Sequence, residues 1–363
     1  MNSPPTNIEK SGYTIDDGTT PSIAISRKIA LGIIFSLIVL TAIGGNLLMC
    51  TAVLTDNRLK SNISNYFIVS LAVADFFVGS FVMTFAMIMD IQQRWMFGDA
   101  LCRIWISCDI MCCTASIFNL SAISLDRYIQ IQNPMFYDGW MTTCKVLMLI
   151  ALIWTLSALT SFVAVNLGWR NTSVGTVYGN YSGENITSIN DMCVLNVDVK
   201  YAIACSVMGF FAPSVVMLVL YFKLFLLARR HAENIRCTRQ MIISLDQSST
   251  FPTLEGKKKQ NHATKWVSDY KAAFTLGVVM GVFLCCWLPF FVINSISFHA
   301  PGLIHENIFM VCTWLGYFNS CLNPFIYSTF NSEFRKAFKR TLSELTTERV
   351  LVLATTTPMA WQQ

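Results

Sequence analysis

Seven long apolar stretches, separated by polar segments, dominate the chain. An α-helix needs about 20 consecutive apolar residues to cross the hydrocarbon core of a bilayer, and each stretch meets that length. The stretches lie at residues 29–54, 65–90, 102–131, 144–167, 199–227, 270–298 and 306–328. The pattern therefore predicts an all-α membrane protein built as a seven-transmembrane helix bundle.

After the last stretch, apolar and basic residues alternate at helical spacing over 331–345. Phe334, Phe338 and Leu342 recur every four residues, with Lys and Arg between them. This spacing predicts a short amphipathic helix that lies on the membrane surface and is held there by Phe334 and Phe338.

The distribution of Lys and Arg predicts the orientation, because basic residues concentrate in the inner loops of membrane proteins. On one side of the predicted bundle lie 19 of the 26 Lys and Arg residues, and we assign that side to the cytoplasm. Residues 1–28 are then an extracellular amino terminus, 29–328 the transmembrane domain, and 329–363 the amphipathic helix and cytoplasmic tail. The two long connections are an outer loop at 168–198 and an inner loop at 229–269. The protein is expected in the plasma membrane.

Three glycosylation sequons agree with this orientation. Asn171, Asn180 and Asn185 each begin an Asn-X-Ser/Thr triplet within the predicted outer loop. Because such sites are modified on the extracellular side, we expect these three asparagines to carry glycans.

The composition argues against several other classes of protein. Charged residues make up 13% of the chain and hydrophobic residues 54%, whereas a soluble domain has about a quarter of charged residues. The basic residues do not form a stripe for nucleic acid, and the four His residues lack metal-ligand spacing. No nucleophile–base set typical of an enzyme is visible either. We predict no nucleic-acid binding, no zinc site and no enzymatic activity.

Asp109 is a lone acid inside the third apolar stretch. A carboxylate at membrane depth costs at least a few kcal/mol, so such residues usually serve a function. Arg127 follows 18 residues later, which places the two side chains on one helical face at opposite ends of the same helix. The spacing favours a device that passes a signal across the membrane. A salt-bridged acid that joins helices would fit the same pattern.

Aromatic residues on the sixth and seventh stretches are spaced to enclose a ligand beside Asp109. On the sixth stretch, three aromatic residues and one asparagine follow i, i+3, i+4 and i+7 spacing, and two more aromatic residues lie on the seventh stretch. These residues are Trp287, Phe290, Phe291 and Asn294, followed by Trp314 and Tyr317. Aromatic faces attract an ammonium group through cation–π contacts, and Tyr317 is able to donate a hydrogen bond to Asp109. An aromatic stripe alone also fits helix packing, so this interpretation depends on Asp109.

Each of the seven stretches carries a short motif. The motifs are Gly45-Asn46, Leu71-Ala72-Val73-Ala74-Asp75, Asp126-Arg127-Tyr128, Trp154, Pro213, Cys286-Trp287-Leu288-Pro289 and Asn323-Pro324-Phe325-Ile326-Tyr327. Seven motifs in this order resemble those of the rhodopsin-like (class A) G-protein-coupled receptors, and the resemblance covers residues 30–342.

The resemblance implies a disulfide, an ion site and an inner switch. Cys102 and Cys193 match the disulfide that joins the second outer loop to the third helix in these receptors. An allosteric sodium ion, the only cofactor implied, would bind at Asp75 with Ser116, Asn319, Ser320 and Asn323. A hydrated polar network without an ion is the alternative at these residues. The switch that contacts a heterotrimeric G protein would comprise Asp126, Arg127, Tyr128, Asn323, Pro324 and Tyr327, with Arg127 in a local ion pair until activation.

Within the family, the chain resembles the aminergic group. It is most similar to type-1-like dopamine receptors, with histamine type-2 and β-like octopamine receptors near. The implied monoamine-binding residues are Asp109, Cys113, Cys205, Ser206, Trp287, Phe290, Phe291, Asn294, Trp314 and Tyr317. One departure concerns the fifth helix, where catecholamine receptors typically have two or three serines. In the matching stretch of this chain, residues 204–209, the only serine is Ser206, next to Cys205.

We therefore predict a cell-surface receptor for a protonated monoamine, with dopamine first, that couples to a stimulatory G protein and raises cyclic AMP. Octopamine, tyramine or another trace amine, histamine and serotonin are the alternatives. A remote alternative is an amine transporter, but the two halves of the chain show no repeat. Further expected partners are arrestin, receptor kinases and the lipid bilayer.

Overall fold

The computed structural model describes residues 21–163, 165, 173–177, 192–196, 199–246, 254–300 and 303–356. The acceptor asparagines of the three sequons, Asn171, Asn180 and Asn185, lie outside the described residues.

Helices make up almost all of the described chain. The first four membrane crossings are formed by α1 (Pro21–Thr55), the pair α3 (Asn65–Phe77) and α4 (Thr84–Gln92), α5 (Gly98–Gln132), and α7 (Thr143–Ala158). The last three are formed by the pair α8 (Val199–Ser206) and α9 (Ala212–Asp246), then α10 (Leu254–His299) and α11 (Glu306–Phe330). Short helices α2 (Asn57–Lys60) and α6 (Pro134–Trp140) lie in the connections, and α12 (Ser332–Thr356) follows the last crossing.

Three π-helical turns interrupt or extend the crossings. They are Val78–Met83 between α3 and α4, Leu159–Val163 after α7, and Val207–Phe211 between α8 and α9. A π-turn adds a residue to the helical repeat and so shifts which side chains face the bundle. The shift matters most on the fifth crossing, where it separates Ser206 from the rest of that helix.

Six of the described helical segments are long and apolar enough to cross a membrane. The seventh crossing, α11, has 25 residues, which is about 37 Å at the usual rise per residue. It is more polar because Asn319, Ser320 and Asn323 face the interior of the bundle, where all three are buried. The predicted bundle of seven helices is thus confirmed.

The inner connection differs from the predicted loop at 229–269. Helix α9 continues to Asp246 and α10 begins at Leu254, so only residues 247–253 fall outside these helices. The physical reason is visible in the sequence, because residues 214–251 contain neither Pro nor Gly. Nothing therefore interrupts the helix where it leaves the membrane.

The amphipathic helix after the last crossing is also longer than 331–345, and it packs differently from the prediction. Phe334 and Phe338 are buried, and the Phe334 ring lies 5.2 Å from that of Tyr327. Leu342 is exposed. The expectation that Phe334 and Phe338 reach into lipid is wrong, since both side chains are buried within the protein.

At the outer end, a disulfide joins a small hairpin to the third crossing. Strands β1 (Ser173–Val177) and β2 (Met192–Asn196) pair antiparallel, with Thr176 opposite Cys193. Cys193 forms a disulfide with Cys102, with Cα atoms 5.7 Å apart. The disulfide implied by the sequence is therefore present, and it ties this hairpin to the outer end of α5.

Candidate functional site

Asp109 lies on the interior face of α5 and is only partly buried. Its carboxylate accepts a hydrogen bond from the Tyr317 hydroxyl at 3.1 Å and one from the Cys113 thiol at 3.5 Å. Cys113 is one turn further along the same helix, and Tyr317 comes from α11. Among the described residues no Lys, Arg or His forms an ion pair with Asp109, so the alternative of a salt-bridged helix joint is not supported.

The predicted aromatic wall meets Asp109 through Tyr317. The Trp287 ring is buried and lies 6.1 Å from the Tyr317 ring at an angle of 82°. Phe290 packs edge-on against Trp287, with ring centroids 5.9 Å apart. Edge-to-face arrangements of this kind are the favoured geometry of aromatic pairs. The arrangement links the aromatic side chains of α10 to Asp109 through Tyr317.

Two phenylalanines outside the sequence-predicted set complete this wall. Phe291 stacks on Phe210 with ring centroids 4.0 Å apart and nearly parallel planes. Phe290 contacts Phe309 at 5.5 Å. Phe210 and Phe309 each lie in an apolar stretch without special spacing, so the sequence offered no signal that could have found them. Asn294, one turn further out on α10, is partly buried.

Gly316 makes room for Trp287. A Cβ atom at Gly316 would lie 2.8 Å from Cε3 of the indole, closer than such contacts allow. The Trp287 ring therefore packs directly on the backbone of α11. A residue larger than glycine at this position would move the indole toward the ligand site.

Trp314 is held by an acid that the sequence prediction omitted. Its indole Nε1 donates a 2.6 Å hydrogen bond to Asp90 Oδ2 on α4, and its ring stacks on Phe35 at 3.7 Å. Asp90 ends the second predicted stretch, where an acid is typical of the membrane surface. Its distance from Trp314 along the chain, 224 residues, hides the contact from any local pattern.

Cys205 and Ser206 are the residues predicted to contact the ring of the ligand, and the fifth crossing places them in different environments. Ser206 is buried and shares its face with Phe210, one π-turn further along. Cys205 is exposed and lies off that face. Of this predicted pair, the structure brings only Ser206 toward the bundle interior.

Asp75 occupies a second polar site, nearer the middle of the bundle. The Ser320 hydroxyl donates to Oδ1 at 2.8 Å and the Asn323 amide donates to Oδ2 at 2.6 Å. Ser116 and Asn319 are also buried, but neither forms a hydrogen bond with Asp75 in the described part of the chain. Asn46, a motif residue outside the predicted set, donates to the Ser320 carbonyl at 2.8 Å.

This second site contains buried oxygens that lack partners. The side-chain oxygens of Asn46, Asn319 and Asn323 have no hydrogen-bond partner within the described structure. A buried polar atom without a partner costs about 1–3 kcal/mol, so such a cluster calls for a bound water or cation. Carboxylate and amide oxygens are the ligand types that a hard cation prefers.

The inner switch residues do not form the expected ion pair. Asp126 accepts a 2.8 Å hydrogen bond from the Tyr137 hydroxyl, and Arg127 donates to Gln130 at 2.9 Å. Within the described residues no ion pair joins Arg127 to Asp126, so the pair implied by the resemblance is absent here. Ser64 lies 3.0 Å from the Tyr137 oxygen. Burial and the neighbouring Asp126 carboxylate raise the pKa of Tyr137, which keeps its hydroxyl protonated as a donor.

The other predicted switch residues lie on α5 and α11. Tyr128 is partly buried, and Tyr327 is buried with its hydroxyl oxygen unpartnered in the described structure. Pro324 is buried against Gly45, where an added Cβ would lie 2.9 Å from the proline ring. Pro324 of α11 therefore packs directly against α1.

Comparison with known proteins defines the family. The sequence model of the 7 transmembrane receptor (rhodopsin family) matches residues 45–327. The 5-hydroxytryptamine receptor 1 of Aplysia californica is 40% identical, over 86% of this chain and 73% of that protein. Dopamine receptor 1 of Drosophila melanogaster is 39% identical, over 93% of this chain and 67% of that protein. The D(1)-like dopamine receptor of Takifugu rubripes is 35% identical, over 86% and 70%.

The chain belongs to the rhodopsin family of seven-transmembrane receptors. The resemblance seen in the sequence motifs is confirmed, as is the prediction that the protein is a receptor and not an enzyme. It is a multi-pass membrane protein. The roles of the individual site residues stay predictions.

Proposed function

We propose that this protein is a cell-surface receptor for a protonated monoamine, and that Asp109 binds the ammonium group. One observation carries the proposal: the Asp109 carboxylate is oriented by Tyr317 at 3.1 Å and has no cationic partner among the described side chains. A carboxylate in a low-dielectric site gains most from a charge-assisted hydrogen bond to a cation. The ligand would supply that cation.

The aromatic wall supports the same chemistry. Tyr317 contacts Asp109, and Trp287 packs edge to face with both Tyr317 and Phe290. An ammonium group that pairs with Asp109 would lie against aromatic surface and gain cation–π attraction. The relatives named above are receptors for 5-hydroxytryptamine and dopamine, and both of these amines are protonated at neutral pH.

Dopamine is the first candidate ligand and serotonin the second. Dopamine follows from the resemblance to type-1-like dopamine receptors. Serotonin is favoured by Ser206, because this buried hydroxyl on the fifth crossing matches a ligand with one ring hydroxyl. Its exposed neighbour Cys205 offers at most a weak donor. Octopamine, tyramine and histamine complete the set to be compared.

We assign the amino terminus to the outside and the ends of α5, α9 and α10 to the cytoplasm, following the Lys and Arg distribution. At that inner end, Met135 is 92% exposed and Phe136 57% exposed, next to the Arg127 end of α5. Exposed apolar residues beside a cation form a docking surface for a partner protein. The partner would be a stimulatory G protein that raises cyclic AMP, with arrestin and receptor kinases acting on the same inner face.

A sodium ion at Asp75 would bias the receptor toward its inactive form. The residues present fit such an ion, because Asn323 contacts the Asp75 carboxylate and its buried side-chain oxygen, like that of Asn319, has no hydrogen-bond partner among the described residues. Asp75, Ser116, Asn319, Ser320 and Asn323 are the proposed ligands. The ion would neutralise the buried charge and hold α3, α5 and α11 together.

The test is a cyclic AMP assay on cells that express the full chain, with dopamine, serotonin, octopamine, tyramine and histamine in parallel. We expect one amine to act at the lowest concentration and Asp109→Asn to abolish its response. Asp99→Asn is the matched control, because Asp99 is an exposed acid in the first turn of the same helix. Full potency in Asp109→Asn would refute the ammonium site. Uptake of labelled amine without a cyclic AMP response would favour the transporter.

A further inference from the structure

Two acids on different helices are linked through one face of α11. Trp314 and Tyr317 lie three residues apart on that helix, with ring centroids 5.8 Å apart and nearly perpendicular planes. The indole of Trp314 donates to Asp90 at 2.6 Å, and the hydroxyl of Tyr317 donates to Asp109 at 3.1 Å. The chain of contacts therefore runs from Asp90 to Asp109 through two aromatic side chains.

The contact between Trp314 and Asp90 is tightly constrained. Trp314 is 5% exposed and stacks on Phe35 of α1 at 3.7 Å, with an interplanar angle of 3°. A buried indole N–H needs an acceptor, and a charged acceptor makes the stronger bond. Asp90 supplies that acceptor from α4. The outer half of α11 is thereby fixed to α1 and α4 at a single side chain.

The contact between Tyr317 and Asp109 depends on the position of α11. Tyr317 is buried and has Trp314 on one side and Trp287 on the other, with ring centroids 5.8 Å and 6.1 Å away. Its hydroxyl meets Asp109 only while α11 keeps this rotation. Loss of the Asp90 contact would let the outer half of α11 rotate or tilt, which would carry the Tyr317 hydroxyl away from the carboxylate.

We propose that Asp90 is a positioning residue for the ligand site: by holding Trp314, it keeps the Tyr317 hydroxyl on Asp109. The proposal rests on the proposed function, since Asp109 is taken to bind the amine. It differs from direct recognition of the ligand by Asp90, in which the charge of Asp90 would matter and its bond to Trp314 would not.

Substitutions at Asp90 and Trp314 separate these mechanisms. Asp90→Asn keeps a carbonyl oxygen that accepts the indole N–H, whereas Asp90→Ala removes the acceptor. Trp314→Phe keeps an aromatic ring against Phe35 but removes the donor. Asp99→Ala is the matched control, an exposed acid on the same outer side.

The first measurement is competition binding of dopamine and serotonin to membranes that contain the full chain. We expect Asp90→Ala and Trp314→Phe each to weaken binding about tenfold, and Asp90→Asn to stay within about twofold of wild type. The double variant should be no weaker than either single variant, because both remove one interaction. Asp90→Ala should also add nothing to Tyr317→Phe. The proposal would be overturned if Asp90→Asn and Asp90→Ala lost the same amine affinity while Trp314→Phe bound like wild type. It would also be overturned if the affinity losses of Asp90→Ala and Tyr317→Phe were additive.

The second measurement needs no ligand. Backbone deuterium uptake over the outer half of α11 should rise in Asp90→Ala and Trp314→Phe, and stay at the wild-type level in Asp90→Asn and Asp99→Ala. Unchanged uptake in Asp90→Ala would overturn the proposal whatever the ligand. Failure of the proposed function has a different signature, namely retained amine binding in Asp109→Asn. If Asp109→Asn abolishes binding while Asp90→Ala is silent, only the positioning role is refuted.

Discussion

The hydroxyl of Tyr137 donates a 2.8 Å hydrogen bond to the carboxylate of Asp126. The neutral Tyr137 hydroxyl of α6 thus binds the acid that, by the resemblance, would pair with Arg127. Arg127 donates a hydrogen bond to Gln130 instead. The guanidinium at the inner end of α5 is therefore not held by its neighbouring acid. This arrangement leaves Arg127 available to a partner at the cytoplasmic face.

Removing that hydroxyl should weaken signalling. In Tyr137→Phe, one Asp126 oxygen loses its donor, and the nearest cation able to replace it is Arg127. A hydrogen bond to a charged group is worth about 1.5–3 kcal/mol, so we expect agonist potency in the cyclic AMP assay to fall roughly tenfold or more. Tyr66→Phe, on α3 at the same inner end, is the control. A Tyr137→Phe receptor with wild-type potency would show that Arg127 does not depend on this bond.

Tyr317→Phe should lower amine affinity by less than Asp109→Asn does. The hydroxyl orients the carboxylate but does not carry the charge, so we expect a loss of about tenfold in equilibrium binding. Thr313→Val is the control on the same helix, because among the described residues the Thr313 hydroxyl bonds only to the Phe309 carbonyl of its own helix, at 2.9 Å. A loss as large as that of Asp109→Asn would mean that Tyr317 itself holds the ligand.

Gly316→Ala should displace the Trp287 indole. The added Cβ would lie 2.8 Å from the ring, and overpacking of this kind typically costs about 1–3 kcal/mol. We expect a lower unfolding temperature of the purified receptor and weaker amine binding. Gly281→Ala on α10 is the matched control, because no described atom beyond the neighbouring backbone of its own helix lies within 4 Å of its added Cβ. Equal stability of the two variants would contradict the close packing of Trp287 on α11.

The packing of α12 predicts an order of effects among its side chains. Phe334→Ala removes a buried ring and should destabilise the protein by about 3–5 kcal/mol, whereas Leu342→Ala should have little effect. Arg340→Ala breaks an ion pair with Asp56 at 2.8 Å, but Arg340 is 56% exposed, so about 0–1 kcal/mol is expected. Thermal unfolding in detergent measures all three. If Leu342→Ala lowered the stability as much as Phe334→Ala does, contact of α12 with lipid would stabilise the protein more than its packing against the bundle.

Sodium should weaken agonist binding through Asp75. We expect amine affinity in wild type to fall when sodium chloride replaces choline chloride at equal ionic strength. Asp75→Asn should remove that difference, because the amide lacks the charge that a cation neutralises. Sodium dependence that persists in Asp75→Asn would place the ion elsewhere or exclude it.

At the inner end of the bundle, local sequence patterns predict which segments are helical but not what the helices pack against. The lack of Pro and Gly over residues 214–251 is a local property, and it accounts for the continuation of α9 to Asp246. The spacing of Phe334 and Phe338 correctly predicted an amphipathic helix but not what covers its apolar face. Lipid and the underside of α11 are both apolar, so the pattern is the same for either environment.

The sequence by itself determined the seven crossings, because hydrocarbon thickness sets the length of an apolar helix. It also placed Asp109 and Arg127 on one face of α5, since helical periodicity depends on spacing alone. The tertiary structure alone decided which side chains meet across helices, such as Trp314 with Asp90 and Tyr137 with Asp126. Those contacts depend on the rotation and tilt of packed helices, which arise from the whole set of interhelical contacts and leave no periodic trace in any single segment.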